Sequence, residues 1–250
     1  MSISQKEKDQ INEQLSRCAV PIFFINCEGS PSIGKILKNA TGVLIDTGGK
    51  EILVTCQHVW SGFQDECSRN QNLRLGVGCD GLKITLFNPH VIDEDVNYDI
   101  VILELNFKHA LKDKVIYKAT YWPPLLPSVK DPALFLGYPG SYRYVPGQKG
   151  NIFFGKACFL DFVSSVSERN IILADEKNVR EIRKHMDICP DLGLLGGMSG
   201  GPVFIKRNNK HELIGIMRGA GDGPHATIFA APLYYIKPDG TLDFIHRPQI

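Results

Sequence analysis

No stretch of this sequence is apolar enough for long enough to cross a bilayer as a helix; the longest apolar run, 19–25, is short and is interrupted by Pro21. Charge of one sign is equally scarce in excess. Lys plus Arg number 28 against 27 Asp plus Glu, a balance that argues against a phosphate-backbone or anionic-membrane partner. The seven cysteines, at 18, 27, 56, 67, 79, 158 and 189, are odd in number and show no C-x-x-C spacing, which favours reduced thiols over a disulfide framework. Residues 1–17 are polar, with Lys6, Glu7, Lys8, Asp9 and Glu13, and carry no secretory signal core. With the reduced cysteines, this makes a cytoplasmic location the expectation. No internal repeat or low-complexity tract is evident. What is present is ample apolar content, 43% of 250 residues, sufficient for one large β domain or two small ones.

The most informative run is Gly196-Gly197-Met198-Ser199-Gly200-Gly201-Pro202-Val203-Phe204. Its glycines can adopt backbone angles closed to residues with a Cβ and can turn successive N–H groups toward one point, a nest suited to an oxyanion. Upstream, Thr55-Cys56-Gln57-His58-Val59 follows a strand-like run at 51–54, and Tyr98-Asp99 opens Ile100-Val101-Ile102-Leu103. A base, a carboxylate and a nucleophile therefore occur in the order His58, Asp99, Ser199. A serine hydroxyl is a poor nucleophile at neutral pH and needs a base, a role a histidine fills near pH 7. A carboxylate on the other ring nitrogen would fix the tautomer and stabilise the imidazolium. The remaining histidines, 90, 109, 185, 211, 225 and 246, lack such a setting and read as surface or satisfied core residues.

These three segments resemble the chymotrypsin-like, trypsin-fold serine peptidases, in particular the bacterial non-zymogen branch that includes HtrA and glutamyl endopeptidase types, over about residues 41–232. Gly197 to Val203 is similar to the family's G-x-S-G-G-P-v, Thr55 to Val59 to its T-A-x-H-v, and Asp99 to Leu103 to its D-i-A-l-l. The resemblance implies a His58, Asp99, Ser199 triad, an oxyanion hole from the N–H groups of Gly197 and Ser199, and no metal or organic cofactor. It also implies a specificity pocket lined by 190–195 and 216–221, with Gly193, Met217, Arg218 and Gly219 as substrate-binding residues. Gly193 stands where trypsins place the aspartate that selects Lys or Arg, so a trypsin-like preference is not expected. Arg218 either projects into the pocket, favouring an acidic side chain before the cleaved bond, or points to solvent. Met198 stands where animal trypsins have the aspartate that pairs with a new N-terminus, and no Ile-Val-Gly-Gly start occurs; activation by N-terminal cleavage is not expected.

The expected fold is all-β: two six-stranded antiparallel barrels, a short N-terminal helix and a helical insertion before the serine loop. Ser4-x-x-Glu7 is a capping-box pattern, placing the helical extension at 1–17. The first barrel, 18–120, has strands at 19–26, 41–46, 51–56, 73–77, 82–87 and 99–105, with Gly48-Gly49 as a hairpin turn. Pro123, Pro124, Pro127 and Pro132 make 121–132 a semi-rigid linker. The second barrel, 133–250, has strands at 133–138, 151–163, 170–173, 202–206, 212–217 and 226–233. Between them Val179, Ile182 and Met186 fall at helical spacing in 175–188, a helix that either shapes the cleft or merely covers a barrel end.

Two other chemistries are weighed against this one. Gly197-Met198-Ser199-Gly200-Gly201 also satisfies the G-x-S-x-G elbow of α/β-hydrolases, but that elbow requires a helix after the serine, which Gly200-Gly201-Pro202 and the β-favouring Val203-Phe204-Ile205 oppose. Cys56-x-His58 as a metal pair lacks a second pair at ligand spacing. The expected activity is a serine endopeptidase acting on polypeptides, with restricted specificity or a regulatory protein partner that assembles the glycine-rich loop. The rival is a catalytically idle peptide-binding module of the same fold.

Overall fold

The structure is a computed structural model that describes residues 13, 15–27, 35–78, 84–106, 111, 114–144, 153–174, 195–208, 210–221 and 227–245. The strands of the N-terminal half are β1 (Ala19–Asn26), β2 (Lys35–Asp46), β3 (Glu51–Thr55), β4 (Leu73–Gly78), β5 (Ile84–Phe87), β6 (Val91–Asp95), β7 (Ile100–Glu104) and the short β8 (Tyr117–Lys118). They form an eight-stranded sheet in the order β5-β4-β1-β2-β3-β7-β6, with β8 beside β2. The C-terminal half contains β9 (Pro132–Gly137), the two-residue pair β10 (Arg143–Tyr144) and β11 (Phe153–Phe154), then β12 (Ala157–Val166), β13 (Ile171–Leu173), β14 (Pro202–Arg207), β15 (Lys210–Ala220) and β16 (Ile228–Pro232). Six of these close into a barrel, β12-β13-β16-β15-β14-β9.

The protein is thus mostly β, and its described residues contain one closed six-stranded barrel and one α-helix of several turns, where two closed barrels were expected. Among the described residues no pairing joins β5 to β6 at the ends of the N-terminal sheet. That sheet also contains β6, a strand the sequence reading did not anticipate, because Val91-Ile92-Asp93-Glu94-Asp95 is largely acidic and half-exposed. The N-terminal helix is described only at Glu13, Leu15 and Ser16, which have helical backbone. The expected insertion at 175–188 lies outside the described residues, and among those described no helix is long and apolar enough to cross a membrane.

The near-continuous apolar runs of β2, β3 and β7 have a packing cause. Val43, Ile45, Ile52, Val54, Ile100 and Ile102 point to one core, whereas Leu44, Leu53, Val101 and Leu103 point to another. Alternate side chains of a strand face opposite sides, so a sheet buried on both faces is apolar at every position. The first of these cores is a seam shared with the barrel, containing Leu136, Phe204, Leu213, Ile216, Leu233 and Tyr235. The barrel keeps its own interior with Phe135, Val203, Ile205, Ile214 and Met217. The candidate site residues His58, Asp99 and Ser199 lie along this seam.

Between β3 and β4 the chain forms helix α1 (Gln57–Arg69). Its buried residues are Trp60 and Phe63, with Val59 and Cys67 packed alongside. Phe63 lies 5.3 Å from Phe24 and 5.6 Å from Trp60, ring centre to ring centre, which anchors the helix on β1. The spacing of Trp60, Phe63 and Cys67 is helical and would have revealed α1 in the sequence.

Candidate active site

His58 is the second residue of α1, and the start of that helix explains much of its surroundings. Cys56 at the N-cap makes no side-chain cap bond, and the first turn has no acidic residue of its own. Exposed N–H groups at a helix start attract a carboxylate, and Asp99 supplies it from another element: its Oδ1 accepts the His58 backbone N–H at 2.9 Å. The same carboxylate meets the ring, with Nδ1 2.9 Å from Oδ2 and 3.1 Å from Oδ1.

Asp99 precedes β7 with φ 56°, a left-handed conformation that aspartate tolerates better than most residues. The turn is held by the Tyr98 N–H on Asp95 Oδ1 at 2.8 Å. Tyr98 stacks on Phe244 at 4.2 Å and meets Tyr235 edge-on at 4.9 Å, so residues of the C-terminal half brace the loop. Burial works against ionisation of Asp99, but the hydrogen bonds from the His58 ring and backbone, with the positive charges of His58 and Arg218, outweigh it and hold its carboxyl below the usual range. An ionised carboxylate accepts only, so the ring nitrogen facing it carries the proton and Nε2 is left to act as the base.

Ser199 lies on the other side of the seam, in a loop tied to both halves. Its carbonyl accepts the Thr41 N–H at 2.9 Å, Gly200 N–H donates to the Met217 carbonyl at 2.7 Å, and Gly201 N–H to that of Met198 at 2.8 Å. Thr41 Oγ1 donates to the Gly197 carbonyl at 2.8 Å and accepts the Tyr138 N–H at 3.0 Å. Gly197 has φ +97°, and a Cβ there would strike the Asn39 amide nitrogen and stand 2.8 Å from the Tyr138 carbonyl. Gly200, at φ +87°, is equally confined by Thr41 and Thr55. The N–H groups of Gly197 and Ser199 donate to no partner among the described residues. The Ser199 hydroxyl donates to the Arg218 carbonyl at 3.4 Å; no hydrogen bond joins it to the His58 ring.

The structure brings His58 and Asp99 into contact and sets Ser199 across the seam beside β15. Gly193 lies outside the described residues. The Met217 side chain is buried in the barrel interior, and its carbonyl takes the Cys56 thiol at 3.1 Å. Gly219 is open: a Cβ there would meet nothing within 4 Å. The Arg218 guanidinium is committed neither to the pocket nor to solvent: Nε donates to Asp99 Oδ2 at 3.4 Å and Nη1 to Asn170 Oδ1 at 2.9 Å. Asn39, Thr41 and Asn170 escaped the sequence reading, since each is a lone polar residue whose role arises only from long-range contacts; Thr55 was read only as the first residue of the histidine motif, and its packing against Gly200 emerges from the structure.

Ligand atoms of Cys56, His58 and Asp99 lie within 4.8 Å of one another, close enough for a metal ion. The donor set fits one poorly. Burial, reinforced by the Asp99 charge, pushes the Cys56 thiol well above its ordinary range, and a metal ligand must be the thiolate.

Against known proteins, no curated sequence matches this chain. The crystal structure of Deg5 matches in fold with a TM-score of 0.53 at 15% identity, over 93% of this chain and 92% of that one. Trypsin-like peptidase domain is the family that matches residues 40–216, more than half of the chain and inclusive of the three candidate residues. By that match the chain belongs to the trypsin-like peptidase family, and it is a serine protease.

Proposed function

We propose that the protein is an endopeptidase that cleaves polypeptides through an acyl-enzyme, with Ser199 as nucleophile, His58 as general base and acid, and Asp99 orienting the ring. The observation that carries this reading is the Asp99 carboxylate receiving both the ring and the backbone N–H of His58, since that leaves Nε2 free to take a proton. The Ser199 hydroxyl turns about its Cα–Cβ bond from the Arg218 carbonyl toward Nε2 and attacks the scissile carbonyl as His58 takes its proton. The tetrahedral oxyanion is received by the Gly197 and Ser199 N–H groups, and the absence of any described partner for either donor supports that role. His58 then protonates the leaving amine, and water repeats the sequence on the acyl-enzyme.

Substrate lies along Met217, Arg218 and Gly219 of β15, where the open side of Gly219 supports main-chain approach, and Gly193 is kept as a substrate-binding residue on the sequence resemblance alone. Met217 contributes main chain. A regulatory protein acting on the serine loop remains part of the proposal, because that loop is bonded to Thr41 of the N-terminal half and responds to any change at the seam. Fluorophosphonate labelling with a peptide-cleavage assay tests the whole reading. Wild type is expected to label at Ser199, and Ser199→Ala to lose the label and about 10⁶-fold in kcat. A folded wild type that neither labels nor cleaves would establish the idle binding module instead.

A further inference from the structure

Arg218 is the charged residue at the site to which the reaction scheme assigns no side-chain role. It leaves β15 in two directions. Its carbonyl holds the resting Ser199 hydroxyl, while its guanidinium crosses the seam to Asp99 Oδ2 and is anchored behind by Asn170 Oδ1 at 2.9 Å and the Arg169 carbonyl at 3.3 Å. Asn170 lies in the turn before β13, so both anchors belong to the barrel and the target belongs to the other half. Only 22% of the Arg218 side chain and 10% of that of Asp99 is exposed, so solvent screens the pair weakly.

Asp99 thus takes three donors: the backbone N–H of α1, the imidazole and the guanidinium. The first two come from His58 itself and move with it. Among the described residues, Arg218 supplies the direct charged bond from the barrel to the carboxylate itself, beside the ring contacts of Tyr98 with Tyr235 and Phe244 that brace the loop; it thereby helps to fix the carboxylate relative to Ser199. The other charged or titratable groups on neighbouring elements are neutral or engaged with other partners. Cys56, at the β3–α1 junction, is a neutral thiol beside Asp99, with its Sγ also 3.1 Å from the Met217 carbonyl. Glu94 on β6 bonds to Gln57 at 3.4 Å, and Arg169 on the β12–β13 turn lies over the Tyr98 ring at 5.9 Å. Among these, Arg218 alone is a cation bonded to Asp99.

We infer that Arg218 is a positioning residue: it clamps the Asp99 carboxylate from the barrel side, aligns the histidine–carboxylate pair on the serine across the seam, and sets the acid edge of the activity profile. This rests on the triad assignment above. The clamp acts in two separable ways. The planar guanidinium satisfies Asp99 and Asn170 together, which an ammonium cannot reproduce. Its charge lies beside the carboxylate that would otherwise favour a protonated ring, so the cation disfavours that form.

The experiment compares wild type, Arg218→Gln, Arg218→Lys and Asn170→Ala by kcat and KM across pH. Each is also made with Ser199→Ala and observed by proton NMR at the downfield His58 Nδ1–H signal, which needs no activity. Arg218→Gln is expected to lower kcat on the order of ten- to hundredfold through misalignment, with KM near that of wild type. It is also expected to move the acidic limb to higher pH by about one unit, and to move the Nδ1–H signal. Arg218→Lys restores the limb but only part of kcat, and Asn170→Ala lowers kcat less than Arg218→Gln. Wild-type kcat and limb position in Arg218→Gln would overturn the inference, and so would a change confined to KM, which would make Arg218 a pocket residue. If wild type proves inactive the triad reading fails by itself; an Nδ1–H signal unmoved in Arg218→Gln then overturns the clamp separately. Should Arg218→Gln not fold, Arg218→Lys and Asn170→Ala decide, and wild-type kcat and an unmoved signal in both overturn it.

Discussion

The two halves of the molecule hold their share of the site by different means. In the N-terminal half the contact is between side chains: a helix start presents His58, a left-handed turn presents Asp99, and the two satisfy each other directly. In the C-terminal half the contact is through main chain: Ser199 is placed by backbone bonds from Thr41 and to Met217 and by glycines that tolerate no Cβ. The first arrangement is electrostatic and sensitive to pH; the second is steric and sensitive to shape. Damage to either half should therefore leave a different signature.

Among substitutions that set the two halves against each other, the largest effect is expected at the carboxylate. Asp99→Asn should lower kcat about 10⁴-fold by losing the tautomer that frees Nε2. It also carries a pH signature. The folded protein holds the Asp99 carboxyl below its ordinary value of 3.8, so the stability it contributes is fully present above that value and lost as pH falls through the lower folded one. Urea unfolding should accordingly show wild type more stable than Asp99→Asn at neutral pH, with the gap closing below 3.8.

Gly197→Ala comes next and tests the steric arrangement. A Cβ at φ +97° against Asn39 and the Tyr138 carbonyl displaces the proposed oxyanion donor, for a loss of about 10² to 10³ in kcat, while the pH profile keeps its wild-type shape. Thr41→Val should lower kcat on the order of tenfold through a displaced loop. It also unpairs the buried Tyr138 N–H at a cost of about 1–3 kcal/mol in chemical unfolding. Phe63→Ala completes the order. It empties the aromatic contact behind α1 for a loss of about 3–5 kcal/mol, yet kcat per folded molecule, measured by active-site titration, should stay near wild type because Asp99 and not the core holds the ring.

The strands were legible because the seam makes them apolar throughout: β1, β3, β7 and β14 fall close to where sequence placed them, and the unbroken apolar run at 100–103 is alone enough to mark β7 once Asp99 is set aside as a turn residue. The motif around Ser199 was legible for a related reason, since only glycine fits φ +97° and +87° at 197 and 200. Helix α1 was missed although its aromatic spacing is helical, because its start carries neither a capping side chain nor an acidic first turn and only Trp60 and Phe63 of it are buried. Thr41, Asn39 and Asn170 could not be found, for a lone polar residue gains its role only when another element arrives beside it. Arg218 was singled out for the right chemistry, a guanidinium seeking a carboxylate, but that carboxylate is Asp99 of this chain.

Arg207 donates to the Leu125 carbonyl at 3.4 Å and pairs with Asp131 at 3.8 Å, which fastens the proline-rich connection onto the barrel. The apolar seam beneath, with Val43, Ile45, Ile52, Val54, Ile100 and Ile102 from one side and Leu136, Phe204, Ile216 and Tyr235 from the other, does not depend on that connection for its cohesion. A single nick in the exposed stretch at Leu125 or Val129 would then yield two fragments that stay associated as a non-covalent pair, and separately expressed pieces would recover a working crevice only by re-forming that buried surface with each other.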